Sequence, residues 1–389
     1  MTAEFLFFLL LLLVVSLPVY WIVCRSVKAR LLFLLGINLA AISVLHLPGM
    51  ILCLGVSLTV FFLTRVYPKK WAWWISFVLP LTVLVFFKYL GPVLSHFSLS
   101  LQIIVPLGVS YYIFKLMHFV IERRRGNIQK PSLTVFLNYI FFFPMFIAGP
   151  IERFPAFQNQ ITDLHFSKQR FSRGLERIVI GLFKKIVLAD VILKALLLSD
   201  QQIISGIDIR WHAWLCASFV KFLYTYMDFS GYIDMAIGIG LLYGIKLMEN
   251  FNRPLLQSNL ADFWRRWHIS LSGWARDYVY YPMMLKTRSV NLPLLLTMMT
   301  IGVWHGPQAS WALWGIHHGI GLIVYNKIKR LIRKHGFKWP TKYSWAIKAL
   351  GILTVWFYLS LGHSLHLASS GSIITPLKIY LKILTFGLL

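Results

Sequence analysis

Long apolar runs separated by short basic groups dominate this chain of 389 residues. Runs such as Phe5–Val23 and Leu31–Leu63 are long enough to cross a bilayer, because one transmembrane helix takes about 20 apolar residues. At that length per span, residues 1–389 have room for about 10–12 transmembrane helices in a single domain. The pattern therefore predicts an all-α, polytopic membrane protein.

Several apolar runs are interrupted by residues that break or polarise a helix. The interruptions are His46–Gly49 within Leu31–Leu63, Pro144–Pro150 within Phe141–Phe154, and Asp228–Gly231 between Trp211–Met227 and Tyr232–Leu247. The first and third predict separate spans. The second predicts a re-entrant or tilted segment, because irregular backbone at membrane depth must face protein or a water-filled cavity. Arg170–Leu198 mixes charges into helical apolar spacing, which predicts an interfacial helix leading into a span.

Composition agrees with a membrane protein and limits the partners. The chain is 58% hydrophobic and 13% charged, whereas soluble domains carry about 25% charged residues. Its net charge of +26 would suit nucleic acid if the basic residues formed one continuous face. They lie instead in short groups such as Arg123–Arg125 and Lys327–Lys342, which predicts cytoplasmic loops and no nucleic-acid partner.

Polar chemistry concentrates in the stretch Asp262–His318. It holds two carboxylates, four arginines and four of the twelve histidines in the chain. An ionisable side chain costs a few kcal/mol or more near the bilayer midplane, so intramembrane clusters of this kind are usually functional. We therefore expect the active site in this stretch.

His305 and His268 are the candidate catalytic residues. His305 ends an apolar run in the sequence VWHGP, where a histidine can act as a general base near neutral pH. A histidine hydrogen-bonded inside the bundle is the structural alternative. If the segment around His268 is helical, Trp264, His268 and Ser272 share one face. That face is either a second active-site histidine with its neighbours or an interfacial helix anchored by aromatic and basic residues.

Other chemistries find less support in the sequence. Arg265 and Arg266 suit a phosphate or carboxylate group, although pairing with nearby aspartates is the commoner use of such arginines. His317 and His318 diverge by about 100° on a helix, and no HExxH or Cys/His spacing is present, so no catalytic metal is predicted. The chain has no GxSxG nucleophile motif and no repeated halves typical of a transporter.

Several of these stretches together resemble the membrane-bound O-acyltransferase (MBOAT) family, in particular its bacterial alginate O-acetylation and teichoic-acid D-alanyl transfer branch. The similar stretches occur in family order between Pro106 and Gly319. They are PLGVSYYIF, FFPMFIAGPIERF, YMDFSGYIDMAIGIG, NFNRP, DFWRRWHISLSGWARDYVYYP, GVWHG and WGIHHG. One departure is Ile233 after Tyr232, where the family often has a serine.

The resemblance implies a funnel-shaped helical bundle with its active site deep in the membrane. It assigns the catalytic histidine of the WHG motif to His305 and the second histidine, of the RWHxSLS motif, to His268. His268, Trp304 or Tyr278 is expected to stabilise the developing oxyanion. The residues expected to bind substrate are Trp304, Arg265, Arg266, Tyr278, Asp277 and Asp228.

The implied reaction is acyl transfer in a multi-pass protein of the inner (plasma) membrane. The donor is expected to be a cytoplasmic thioester, acetyl-CoA or an acyl carrier protein, and no bound cofactor is expected. The acceptor is expected to be a hydroxyl of an extracytoplasmic glycan or cell-envelope polymer. An acyl-passing conduit that serves an accessory extracytoplasmic transferase is the alternative, and D-alanyl is the alternative to acetyl.

Overall fold

The structure is a computed structural model that describes residues 3–65, 70–96, 105–106, 108–162, 164–205, 209–336, 344–367 and 373–388. These residues form helices joined by turns and irregular segments, and none of them lies in a β-strand. Contacts group the chain into two compact units. Unit 1 comprises Met1–Leu182 and Tyr232–Met248, and unit 2 comprises Phe183–Gly231 and Glu249–Leu389.

The described residues of unit 1 form nine α-helices and the end of a tenth. The nine are α1 (Ala3–Pro18), α2 (Val27–Leu63), α3 (Lys70–Val85), α4 (Gly91–His96), α5 (Val109–Arg124), α6 (Leu133–Phe141), α7 (Phe143–Phe146), α8 (Phe154–Ile161) and α9 (Lys168–Leu182). Short π-helical segments follow α1 and α3, at Val19–Val23 and Phe86–Leu90. Helix α2 packs against α6, and α3 packs against α5.

The predicted break in the second apolar run is present at His46. Its backbone leaves the helical region (φ −164°, ψ 86°) inside α2, and its Nδ1 accepts a hydrogen bond from the Gly49 backbone N–H at 2.9 Å. The imidazole thus replaces a backbone acceptor that the kink removes. Whether this kinked helix crosses the membrane as two spans stays a prediction.

Unit 2 contains the rest of the helices. They are α10 (Asp200–Ser205), α11 (Trp211–Leu242), α12 (Leu260–Trp264), α13 (Ile269–Ala275), α14 (Tyr281–Thr287), α15 (Asn291–His305), α16 (Ala309–Lys334), α17 (Ser344–Ser364) and α18 (Ile374–Leu384). Two π-helical segments, Phe183–Leu193 and Arg276–Tyr280, and a 3-10 turn at Pro254–Leu256 complete it. The division between the units falls within α11, after Gly231.

The predicted break at Asp228–Gly231 is wrong, because α11 continues through it. Within unit 2 the Asp228 carboxylate forms an ion pair with Lys185, whose ammonium also lies 3.2 Å from Asp190. An aspartate that is paired in this way can occupy the middle of an apolar helix without ending it.

The predicted interruption at Pro144–Pro150 is present. Helix α6 ends at Phe141, the single turn α7 follows, and regular structure resumes only at α8. Most residues of the break are buried, and the Pro144 carbonyl accepts a hydrogen bond from the Tyr232 hydroxyl at 3.1 Å. The irregular backbone therefore faces protein, as the sequence required.

Close contact between glycines joins α9 to the last part of α11 within unit 1. A Cβ on Gly174 would lie 2.8 Å from the Gly238 carbonyl oxygen, so both positions need the absence of a side chain. Beside this contact, Arg177 and Asp234 form an ion pair at 2.6 Å. Gly238 of the sequence AIGIG is thus explained by helix packing.

Three helical stretches among the described residues are long and apolar enough to cross a membrane. They are Val27–Leu63, Lys70–Leu94 and Ser344–Ser364, and Phe8–Val23 is a shorter apolar helix. The all-α membrane architecture is thus confirmed, while the count of about 10–12 spans stays a prediction.

Candidate active site

A cavity in unit 2 is lined mostly by aromatic and histidine side chains. Its volume is about 80 Å³, measured as the space that the centre of a water molecule can reach. Such a space holds several waters, each of which needs about 10–15 Å³. The aromatic lining residues are Phe222, Phe229, Phe263, Trp264, Trp267, Trp311 and Trp314, and the histidines are His268, His305, His318 and His363.

His305 is the last residue of α15, and it is only partly buried. Gly306, which follows it, adopts an extended conformation that ends the helix. The imidazole stacks on Trp311, with ring centroids 4.8 Å apart, and Trp314 meets it edge-on at 5.5 Å. A glycine is needed after His305, because a Cβ on Gly306 would lie 2.5 Å from the Trp311 ring. The WHG sequence therefore places an imidazole at a helix end, packed between two tryptophans.

His268 lies between two short helices, which corrects the single helical face predicted for Trp264, His268 and Ser272. Helix α12 ends at Trp264, and His268 has a left-handed backbone (φ 45°, ψ 52°) before α13 begins. The three side chains nevertheless line the same cavity. The turn at His268 redirects the chain, so that the three side chains meet in the cavity. On a straight helix they would instead lie one above the other along one face.

Asn250 orients the buried His268 imidazole. The Nδ1 of His268 lies 3.3 Å from the Asn250 side-chain oxygen, which also accepts hydrogen bonds from the N–H and the hydroxyl of Ser270. Since an amide oxygen can only accept, His268 donates from Nδ1, and its Nε2 carries the lone pair. The Asn250 carbonyl in turn accepts from the Ile269 N–H at 2.9 Å.

Trp304 links the two predicted catalytic histidines. Its ring centroid lies 4.7 Å from that of His305 and 6.4 Å from that of His268, and the tryptophan is buried. The two imidazoles are thus within reach of one small ligand between them. The structure brings together His305, His268 and Trp304, and their roles stay predictions.

The predicted charged residues lie apart from this cavity. Arg265 is exposed and forms an ion pair with Asp262. The Asn259 amide, together with Arg265, holds the pKa of the Asp262 carboxyl below its ordinary value. Asp277 pairs with Arg276 at 2.9 Å.

The remaining predicted binding residues also have other contacts. The Arg266 carbonyl accepts a hydrogen bond from the Asn252 N–H at 3.0 Å. The Arg266 side chain is half-buried. Tyr278 packs on Trp274, with ring centroids 5.1 Å apart. Asp228 forms the ion pair with Lys185 described above. None of the six predicted binding residues is among the described residues that line the cavity.

Sequence reasoning missed His318, His363 and the tryptophans of α16. His318 was considered only as a metal ligand together with His317. The spacing of Trp311, Trp314 and His318 contained a usable signal, because positions separated by three and four residues lie on one helix face. His363 lies far away in sequence, on α17, and only the fold brings it into the cavity.

The cavity is suited to proton transfer without a charged partner. The histidines are the titratable side chains among the described residues that line it, and no carboxylate is present there. An imidazole in this mostly aromatic cavity can take a proton from a bound hydroxyl.

The chain matches a known protein family along most of its length. The family profile described as "MBOAT, membrane-bound O-acyltransferase family" matches residues 30–368. The "Probable alginate O-acetylase AlgI" of Pseudomonas putida is 33% identical over 307 residues, which cover 74% of this chain and 61% of that protein.

Two further relatives have different named acceptors. The "Peptidoglycan O-acetyltransferase" of Helicobacter pylori is 32% identical over 75% of this chain and 62% of its own length. The "Teichoic acid D-alanyltransferase" of Bacillus subtilis is 30% identical over 70% of this chain and 69% of its own length. The chain thus spans between half and about two thirds of the length of most of the curated relatives that it matches. With the family profile matched over most of its length, the chain belongs to the membrane-bound O-acyltransferase family.

Proposed function

We propose that this protein is a multi-pass inner-membrane enzyme that transfers an acyl group, acetyl in the first instance, from a thioester to a hydroxyl of a cell-envelope polymer. The single observation that carries the proposal is the meeting of His305 and His268 in one aromatic cavity. The relatives named for alginate, peptidoglycan and teichoic acid support a polymeric acceptor. Two of these three names specify O-acetylation, which favours acetyl over D-alanyl.

In the proposed reaction, the acceptor oxygen attacks the thioester carbonyl carbon while His305 takes the hydroxyl proton. The new C–O bond forms, the C–S bond breaks, and the imidazolium returns the proton to the departing thiolate. His268 orients the acceptor, because its Nε2 lone pair can accept a hydrogen bond from a second hydroxyl of the polymer, next to the one that attacks. Trp304 packs beside both imidazoles and so helps to hold their relative positions during the transfer.

The donor, coenzyme A or a carrier protein, approaches from the cytoplasm, where the basic segments Arg123–Arg125 and Lys327–Lys342 attract its negative charge. The acceptor approaches from the opposite side, and an accessory extracytoplasmic transferase completes the transfer if this chain serves as a conduit. Only the small acyl group then passes through a narrow polar passage between the two substrates. This costs far less free energy than moving a charged donor through hydrocarbon.

The test is acyl transfer by the purified protein in proteoliposomes, with radiolabelled acetyl-CoA and envelope polymer supplied on opposite sides. His305→Ala should reduce polymer acetylation at least 100-fold, the lower end of what general-base catalysis contributes, roughly 10²–10⁴-fold. His335→Ala is the matched control, because His335 is exposed at the end of α16. Acetylation by the His305→Ala protein at the wild-type rate would refute the assignment. When the extracytoplasmic proteins of the cell are added on the polymer side, label that accumulates on one of them before the polymer would identify a conduit.

A further inference from the structure

His318 occupies the cavity wall in an unusual state. It is 1% exposed, and neither of its ring nitrogens has a hydrogen-bond partner among the residues that the structure describes. An unsatisfied buried polar group costs about 1–3 kcal/mol, and native proteins retain few of them. Two unsatisfied nitrogens on one buried ring that faces a cavity therefore indicate a polar ligand.

The adjacent histidine shows what a structural role looks like here. His317 Nδ1 lies 3.1 Å from the Tyr380 hydroxyl, and its Nε2 lies 3.1 Å from the Tyr358 carbonyl oxygen. Both of its nitrogens are thus used within the protein, and it does not line the cavity. His317 therefore shows that a buried histidine of α16 with a purely structural role has hydrogen-bond partners for both ring nitrogens.

His318 lies at a different place in the cavity from His305. Trp314 is in contact with both, with ring centroids 5.5 Å from His305 and 4.5 Å from His318. Helix α16 therefore carries a row that starts beside His305 with Trp311, passes Trp314 and reaches His318. This row rises about 10 Å, at 1.5 Å per residue. A ligand whose reactive carbon is at His305 would place a more distant group at His318.

The same helix face continues to positive charge. Lys329 is eleven residues, or three turns, beyond His318 and so lies on the same face. The last turns of α16 are exposed and also carry Arg330, Arg333 and Lys334. This face of α16 thus begins beside His305, the predicted base, and passes His318, a neutral polar side chain. It ends at lysine and arginine side chains that suit phosphate.

The chemistry of the wall selects the class of group at His318. Trp264 packs edge-on against His318 at 5.1 Å, and its indole N–H also has no hydrogen-bond partner among the described residues. A neutral imidazole offers one donor and one acceptor, and an indole offers one donor. The carbonyl oxygen of a secondary amide suits the two donors, because it can accept one hydrogen bond from the imidazole and one from the indole. An ammonium group would require a carboxylate, which the described lining lacks.

We propose that His318, with Trp264, binds an amide of the pantetheine arm of the thioester donor, while the thioester lies at His305. The proposal rests on the function proposed above and adds a donor-binding position to it. Two methylenes separate the sulfur of such a donor from its first amide, and the phosphate end of the arm continues along α16 towards Lys329. Coenzyme A and carrier proteins share this arm, so the site serves either donor.

The test compares two acetyl thioesters that differ in the amide. The thioester of N-acetylcysteamine contains the first amide of the arm, and that of ethanethiol lacks it. His318→Leu should raise the KM for the first about tenfold, the equivalent of one hydrogen bond of about 1.4 kcal/mol, and should leave the KM for the second unchanged. Trp264→Phe, which removes only the N–H, should act in the same direction. His318→Gln should restore part of the discrimination.

His317→Gln is the matched control, and it should change the two KM values equally. Equal effects of His318→Leu on both thioesters, or no effect on either, would overturn the proposal. If the wild-type protein transfers acetyl from no thioester, the proposed function fails. Binding of pantetheine itself, measured by thermal shift in detergent, then decides the present proposal. Stabilisation of the wild type but not of Trp264→Phe or His318→Leu supports it, and equal stabilisation or none refutes it.

Discussion

The orientation of His268 depends on one side-chain oxygen. Asn250 accepts from His268 Nδ1 and from both polar groups of Ser270. Asn250→Ala should therefore lower kcat roughly 10–100-fold, the range found when partners that orient a functional histidine are removed. The KM for the donor should change little, because the thioester does not touch Asn250. Initial rates at saturating acetyl-CoA in proteoliposomes measure this effect.

Asn252→Ala is the control for that prediction, because the Asn252 side chain is exposed two residues away in the same loop. It should retain the wild-type kcat. A wild-type rate in the Asn250 variant would show that the left-handed turn alone orients His268 and that the amide is dispensable.

At this scale the sequence predicts the two family histidines but not their surroundings. His305 and His268 lie in short motifs, WHG and RWHISLS, that can be read locally. His363 and Asn250 reach the same site from other segments, and only the fold reveals them. The charged residues Arg265 and Asp277 looked functional because isolated charge is costly in a membrane, but each has an ion-pair partner close in sequence.

Among the helices, α15 and α16 form the closest packing around the cavity. A Cβ on Gly302 would lie 2.2 Å from the Trp311 carbonyl oxygen, and one on Gly315 would lie 2.5 Å from the Met298 carbonyl oxygen. Both atoms are backbone and cannot move without the helix. Gly302→Ala should therefore destabilise the protein by about 1–3 kcal/mol and should reduce activity, because Trp311 stacks on His305. Thermal unfolding in detergent measures the stability.

The matched control is Gly36→Ala in α2, where an added Cβ meets nothing within 4 Å. Alanine favours a helix over glycine by up to about 1 kcal/mol, so this variant should be as stable as the wild type or more so. Equal unfolding temperatures for the two variants would mean that α15 and α16 separate easily, contrary to the packing described.

Two interruptions of apolar runs show what local sequence can predict at the scale of an element. His46, Pro48 and Gly49 produced the expected kink in α2, because proline and a competing side chain disturb the backbone wherever they stand. Asp228 did not interrupt α11. Its effect depends on Lys185, 43 residues away, and a local pattern contains no information about such a partner.

For the whole molecule, apolar composition predicted the membrane class, and the basic groups predict its orientation. We expect cysteines introduced at Gln129 and His335 to be protected from an impermeant thiol reagent added outside cells, because basic loops remain cytoplasmic. A cysteine at Ser95, whose side chain lies outside the described residues, should react. The labelling requires a variant that lacks Cys24, Cys53 and Cys216.

Permeabilised cells are the control, since all three introduced cysteines should then be labelled. Labelling of the cysteine introduced at His335 in intact cells would contradict the predicted orientation and support the opposite one. It would also place the basic end of α16 on the side away from a cytoplasmic donor.

The division of the chain within α11 limits which segments of this protein can be exchanged with those of a relative. Neither compact unit is one continuous stretch of sequence, because unit 1 needs Tyr232–Met248 and unit 2 needs Phe183–Gly231. A crossover at any single point in the gene therefore leaves at least one unit with residues from two parents. Recombination between relatives that modify different polymers must keep Phe183–Met248 compatible with both flanking segments. New acceptor preferences should accordingly arise by point substitution more readily than by the exchange of segments.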